Sequence, residues 1–382
     1  MSGDIVLSAG VRSNLLALQN TASLMAQTQQ RLSTGKKVNS ALDNPINFFT
    51  AASLNNRAGD IGSLLDSVGN AVKTLEAADN GIKSIKSLVE AAQASARQAL
   101  QSNATTARYS GTVPSLTGSF TPNPAFAVGN TITVNDGATT ATFTAAGNAT
   151  DTVQGFLDAV NNTANLKVKA SLTSDGRIQL EATGANTIVI GGSTTLAEKA
   201  QLGLVAGTTA AGSVSTLRSN FTTQYNSLLT QIDRLAQDAS FNGVDLIYGN
   251  GLKVTFNEQS TSSLSIVGVK LDSNGLGLTV AGSNFQTDYD INASLTQLQN
   301  AIGTLQSQAS TFGSNLSVVQ FRQDFMKAMI NTLKTGADNL TLADTNEEGA
   351  NMLALQTRQS LSTTSLSLAA QASNNVLKLF GG

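Results

Sequence analysis

Cysteine, histidine and tryptophan are all absent from the 382-residue sequence, and proline occurs only four times. Without cysteine or histidine there is no Cys/His zinc site, no thiol nucleophile and no imidazole base. No disulfide can form, so the redox compartment is not readable from cysteine pairing. An all-oxygen metal site, a Ser–Lys catalyst or a paired-carboxylate catalyst stays formally open, but no cofactor is expected. Charge is sparse as well. Charged residues make up 13% of the chain and the net charge is −2, which gives no basic field for nucleic acid. No stretch approaches the roughly 18 uninterrupted apolar residues of a membrane span, so no membrane insertion is expected. The opening "MSGDIVLSAGVRSN" lacks a charged segment followed by a long apolar core. Any export is therefore expected to proceed without a cleaved signal peptide.

What the chain does have is alanine, serine, threonine, asparagine, glutamine and 33 glycines, with apolar residues set at helical spacing. A first stripe runs Val11, Leu15, Leu18, Ala22, Met25 and Leu32, with Gln29 in the remaining slot. Steps alternating four and three are the signature of a coiled-coil seam. The stripe stops at "STGKK", where Gly35 suits a helix C-cap and Lys36 and Lys37 suit the negative helix end. Pro45 and the preceding "SALDN" mark a non-helical joint. A second seam runs Ile61, Leu65, Val68, Val72, Leu75, Ala78, Ile82, Ile85, Val89, Ala92, Ala96 and Ala99, with one stammer at Leu75–Ala78. A third runs Leu295, Leu298, Ile302, Leu305, Ala309, Phe312, Leu316, Val319, Met326, Ile330, Leu333, Ala337 and Leu340, interrupted only by Gln323. "ADTNEEGAN" (343–351) is expected to break it, and its Glu347 and Glu348 read as an exposed joint rather than an acid/base pair. The last stripe is Met352, Leu355, Leu366, Ala369, Val376 and Phe380; Leu361, Leu368 and Leu379 widen it beyond a two-position seam.

The middle changes character. "NTITVNDGATTATFTA" and "LKVKASLTSDGRIQLEA" alternate around Asp136–Gly137 and Asp175–Gly176, and each predicts a hairpin. "DTVQGFLDAVNNT" between them predicts a single amphipathic helix. A further helix is expected over about 214–238, ending at the Asn242–Gly243 turn of "ASFNGVDLI"; "LKVTFNEQ" and "LSIVGVKLDSNGLGLTV" then read as strands.

The expected fold is mainly α with a β insert. A long antiparallel coiled-coil stem is formed by N- and C-terminal helices, with a small α+β outer domain. The expected boundaries are an N-terminal inner helix at 1–43 and N-terminal stem helices at 44–105. A variable outer domain follows at 106–213, then a stem helix and β-hairpins at 214–284. The C-terminal stem helix is placed at 285–342 and a C-terminal inner helix at 343–382. Seams two and three pair because the chain must return, and seams one and four extend that pair. A two-helix pair has no third layer to complete a core. The ends are therefore expected to order fully only against neighbouring subunits.

"RLSTGKKVNSALDNP", "LNNRAGDIGSLLDSVGNAVKTLEAADNGI", "ASFNGVDLI" and "ANMLALQTRQSLSTTSLSLAAQASNNVLKLF" resemble, in that order, segments of bacterial flagellin. The resemblance covers about 1–105 and 214–382, and more loosely the middle. It implies a structural, non-enzymatic subunit of the extracellular flagellar filament, with terminal helices forming the inner tube of a helical homopolymer. It further implies export through the flagellar apparatus, contact with cap and junction proteins, and room for a secretion chaperone. A hook–filament junction protein, or a filament subunit with an added adhesin role in the insert, are the alternatives. Inner-tube contacts would be Val11, Leu15, Leu18, Met25, Leu32, Leu361, Leu366, Leu368, Val376, Leu379 and Phe380. Arg31, Lys36, Lys37 and Asp43 are either intersubunit polar contacts or solvated groups at a helix end. Ser87 and Ala91 stand where the family's innate-receptor contacts carry Arg and Leu, which implies weak recognition.

Overall fold

The computed structural model describes residues 9–114, 128–147 and 151–380. Helices α1 (Ala9–Thr34) and α2 (Pro45–Gln101) come first. The middle holds β1 (Arg108–Ser110), β2 (Thr131–Asn135), β3 (Thr140–Thr144), α3 (Val153–Asn161), β4 (Val168–Leu172), β5 (Ile178–Ala182), β6 (Ile188–Gly191), α4 (Leu196–Gln201) and β7 (Gly207–Thr209). Then come α5 (Thr216–Asp238), β8 (Leu252–Thr255), β9 (Ser263–Ile266), a 3-10 turn at Gly282–Phe285, α6 (Asp288–Thr341) and α7 (Thr345–Phe380). The fold is thus mainly α, with long helices at both ends and a β-rich insert. Contacts divide the chain into two compact units, one holding the residues up to Gly69, Thr255–Ser263 and those from Gln320 on, the other holding Asn70–Val254 and Leu264–Val319.

In the first unit α2 and α6 run antiparallel, with Gly69 against the Gln323 amide and Gly336 against a Leu54 methyl. The β8–β9 hairpin tip is tied there by Arg57, whose Nε donates to Glu258 Oε1 at 2.9 Å. Arg322 lies 5.6 Å from the Phe256 ring centroid.

In the second unit the seam on α2 is buried as expected from Val72 through Leu75, Ala78, Ile82, Ile85, Val89, Ala92 and Ala96 to Ala99. At the stammer the buried face widens to include Ala71 and Thr74. On α6 the heptad positions Leu298, Leu305 and Phe312 are buried, yet the second slot is Ala301, while Ile302 is only half-buried. The two choices differ by one residue, and spacing does not separate them. The "ASFNGVDLI" turn closes as expected: Asn242 and Gly243 take φ of 49° and 79°, and Phe241 and Val244 exchange both backbone hydrogen bonds at 3.0 Å. It sits on α2 at Gly81, where a Cβ would lie 2.7 Å from Ile247 Cδ1 and 2.8 Å from Ala239 Cβ. "LSIVGVKLDSNGLGLTV" corrects the strand expectation, because it is a strand only over Ser263–Ile266. Beyond that, Asp272 and Asn274 accept backbone amides within a turn that buries Leu271, Leu276 and Leu278.

The insert is built from two antiparallel sheets, ordered β1-β5-β4 and β3-β2-β6-β7. Both expected hairpins form, β2–β3 and β4–β5. Strands β1, β6 and β7 and helix α4 were not anticipated, being three to six residues long and without alternation that stands out. Phe156, Val160, Ile132, Val134, Leu180 and Ile188 form the core between the sheets and α3. Asp136 stitches the β2–β3 turn to β4 by accepting the amides of Ala138, Thr139 and Lys167 at 2.8, 2.6 and 2.7 Å. Burial alone would raise its pKa, but these amides outweigh it and hold the carboxyl below the usual carboxylate range.

Entry to and exit from the insert are adjacent. Ser213 N donates to Thr105 O at 2.8 Å and Thr105 Oγ1 to Ser213 O at 2.7 Å. Gly212 crosses the Thr105–Ala107 backbone where no Cβ would fit. Just beyond that crossing lies a charged cluster. Arg218 on α5, 1% exposed, donates to the carbonyls of Ser102, Phe285 and Gln286 and pairs with Asp288 at 2.7 Å. Arg108 on β1 bridges Asp288 and Glu181, and the Asp288 amide donates to Glu181 Oε2. Burial pushes the Glu181 carboxyl up, the neighbouring Asp288 charge adds to this, and Arg108 opposes it. Before this cluster, Ser283, Asn284 and Phe285 take left-handed φ of 46°, 51° and 54°, with the fully buried Phe285 ring edge-on to Tyr225 at 5.1 Å. Three non-glycine residues in that region in a row cost energy that the Arg218 and Gln286 bonds hold in place.

Candidate assembly surface

Helices α1 and α7 lie antiparallel in the first unit. Arg31 Nη1 pairs with Glu348 Oε1 at 3.0 Å, and Asn14 Nδ2 donates to Ser365 Oγ at 3.3 Å. Both pairs fix one register, which the joint strand extends: Lys36 bridges Leu342, Lys37 N donates to Thr341 O at 2.8 Å, and Ala343 N donates to Gly35 O at 3.0 Å. Gly35, at φ +69°, ends α1 as its C-cap.

The break after α6 is shorter than "ADTNEEGAN" suggested. Only 342–344 interrupt the helices, since α7 resumes at Thr345. Asp344 Oδ1 caps it by accepting the amides of Asn346 and Glu347 at 2.9 and 3.3 Å, and the acidic first turn suits the positive helix end. Glu348 is therefore not part of an exposed joint; it is 7% exposed and held by Arg31.

The seam that α1 turns to α7 differs from the apolar stripe. Its most covered positions are Val11, Asn14, Leu18, Thr21, Met25, Thr28 and Leu32, in steps of three and four. Thr21 and Thr28 are buried, Thr21 returning its hydroxyl to Ala17 O at 2.8 Å. Leu15, Ala22 and Gln29 lie one position beyond the seam and are exposed. The two readings share Val11, Leu18, Met25 and Leu32, so the stripe alone fits either; the register set by the joint chooses. On α7 the expected in-phase set holds: Met352, Leu355, Gln359, Ser362, Leu366 and Ala369 are half-buried. Leu361 and Leu368 face outward at 67% and 61% exposed, joined by Leu16, Leu24 and Leu353, which the stripe did not mark. The side chains of Val376, Leu379 and Phe380 lie outside the described residues.

Within the subunit Arg31 pairs with Glu348. Lys37 Nζ donates to Asn339 O at 3.3 Å, and Lys36 is exposed. Asp43 Oδ2 accepts the amides of Asn39 and Ser40 at 2.9 and 2.8 Å, and those backbone bonds hold its carboxyl below the usual range. Further exposed apolar side chains in this unit are Leu42, Ile46, Phe49, Phe321 and Phe325. The surface offers apolar ridges and fixed polar groups, the chemistry of association.

Residues 10–114 match the bacterial flagellin N-terminal helical region, and residues 295–380 match the bacterial flagellin C-terminal helical region. Flagellin FljM of Caulobacter vibrioides is 33% identical over 169 residues, 44% of this chain and 60% of that protein. Flagellin FljK of the same species is 32% identical over the same shares. The match thus spans about 60% of the length of these Caulobacter relatives. Flagellin D of Rhizobium meliloti aligns over 98% of this chain and 99% of its own length at 24% identity. A solved structure, the D1-D2-D3 domains of the flagellar cap protein FliD from Escherichia coli, aligns over 64% of this chain and 99% of that one. It does so at 16% identity and a TM-score of 0.15, a score from which no shared architecture follows. With the two terminal helical regions in place and full-length alignment to a flagellin, the chain belongs to the bacterial flagellin family.

Proposed function

We propose that the chain is the structural subunit that polymerises into the bacterial flagellar filament, the helical propeller of swimming. The observation that carries this is the α1–α7 pair. Two helices bury one seam and leave Leu15, Leu16, Leu24, Leu353, Leu361 and Leu368 facing out. Full burial of each leucine contributes roughly 1.5–3 kcal/mol, so a stack of such subunits gains what one subunit lacks. The apolar stripes on the pair serve as assembly contacts, and the terminal helices order fully on joining the polymer. The insert, entered and left at one crossing, is the outer domain. The chain's main partner is itself. Export through the flagellar apparatus delivers it to the cell exterior, where cap and junction proteins bound the polymer, and the scheme leaves room for a secretion chaperone. The role is mechanical rather than catalytic. Deleting 361–382 tests the reading: the truncated subunit should stay monomeric by sedimentation and electron microscopy, and normal filaments from it would overturn the account.

A further inference from the structure

Leu42 is 97% exposed, more than any other large hydrophobic residue described. It is nevertheless held in a defined loop. Asp43 Oδ2 takes the amides of Asn39 and Ser40 at 2.9 and 2.8 Å, Asp43 N donates to Ser40 O at 3.1 Å, and Asn44 Oδ1 accepts Asn47 N at 3.0 Å to start α2. Ile46, 77% exposed, follows four residues on. A preordered isobutyl group with no cover from its own chain is a knob that association can bury without a large ordering cost.

The same unit carries a socket. Between α1 and α7 lies a cleft of about 310 Å³ whose lining includes Leu24, Ala354 and Leu355, the Arg31–Glu348 pair and Arg358. It can admit a leucine side chain, given that a leucine-to-alanine cavity is on the order of 150 Å³. Its charges are unequal. Arg31 and Glu348 neutralise each other, while Arg358 is exposed and has no ion-pair partner among the described residues. The knob brings the complement, because Asp43 next to Leu42 has Oδ1 free of hydrogen bonds among the described residues.

We propose that Leu42 of one copy inserts into the α1–α7 cleft of another copy, with Asp43 set against Arg358. Knob and socket are different patches of one chain, so the contact is heterologous and propagates into an open polymer instead of closing a dimer. The proposal rests on the polymerisation argued above and names one of its contacts.

The native chain has no cysteine, which makes cross-linking a clean test. Full-length Leu42→Cys and Ala354→Cys, both at exposed positions, are mixed with each other, and each with wild type as a control, then polymerised and oxidised. Disulfide-linked dimers are expected only when both variants share a polymer, and not in monomer mixtures or with either variant alone, because a disulfide needs Cα atoms within about 7 Å. Arg358→Glu, checked as a folded monomer by circular dichroism, should raise the critical concentration for polymerisation about tenfold, and Arg358→Lys should restore most of the loss. Intact filaments without mixed dimers, or an Arg358→Glu subunit that polymerises like wild type, would overturn the contact. Failure of the wild-type subunit to polymerise would instead overturn the filament reading itself.

Discussion

Arg218 shows how much one side chain decides. It is buried against three carbonyls and Asp288 at the base of the insert. Replacing it with methionine leaves Asp288 with Arg108 as its one ion-pair partner among the described residues and frees the left-handed Ser283–Phe285 turn. Breaking a buried pair on one side typically costs about 3–5 kcal/mol, so Arg218→Met should markedly lower the urea midpoint of the full-length monomer. Glu181 carries a pH signature with the opposite sign to an ordinary paired carboxylate. Its folded pKa is raised, so the folded state binds the proton more tightly than the unfolded one, and stability falls as pH rises through that raised value. Arg108, Lys169 on the neighbouring strand, Asp288, Tyr289 and Arg218 are the charged and titratable groups around it. Unfolding midpoints measured from pH 4 to 8 should show this slope, and Glu181→Gln should flatten it. None of this was legible beforehand. Arg108, Glu181, Arg218 and Asp288 lie on four elements up to 180 residues apart, and only the fold brings them together.

At the scale of elements, the helices were readable because a long period leaves many votes. The seam on α2 buries as its spacing predicts. Gly81 within it was not singled out, yet it admits the Asn242–Gly243 turn. Gly81→Val should therefore destabilise the monomer by about 1–3 kcal/mol in thermal or urea unfolding, through overpacking against Ala239 and Ile247. The α1 seam was half-readable. Its heptad was plain, but the choice between Leu15 and Asn14, or Ala22 and Thr21, is made by the Lys36–Leu342 bridge and the Arg31–Glu348 pair, which are long-range. Arg31→Ala leaves a nearly buried carboxylate without its partner. It should weaken the α1–α7 pair by about 1–3 kcal/mol, seen as faster amide exchange in 345–360 with the rest of the chain unchanged.

For the whole molecule, the adjacency of Thr105 and Ser213 lets the chain enter and leave the insert at one point. Deleting 107–212 should leave helical circular dichroism per residue raised and polymerisation intact, while a chain that no longer folds would show that the insert is needed beyond its own core. The polymerisation proposed above follows from what the monomer leaves unburied, since a two-helix layer has outward leucines and no third layer.

Periodicity, the Asn–Gly and Asp–Gly turns and the absence of cysteine and histidine were enough by themselves to give the long helices, two of the insert's hairpins and a composition without thiol or imidazole chemistry. Such features are local: each depends on residues within one or two turns of chain. Tertiary structure alone decided which threonines enter the α1 seam, which leucines stay outside it, that Glu348 is buried, and that four charges meet beneath the insert. Those outcomes depend on how far-separated segments are placed, and a stripe of leucines constrains its own helix but not the register of its partner.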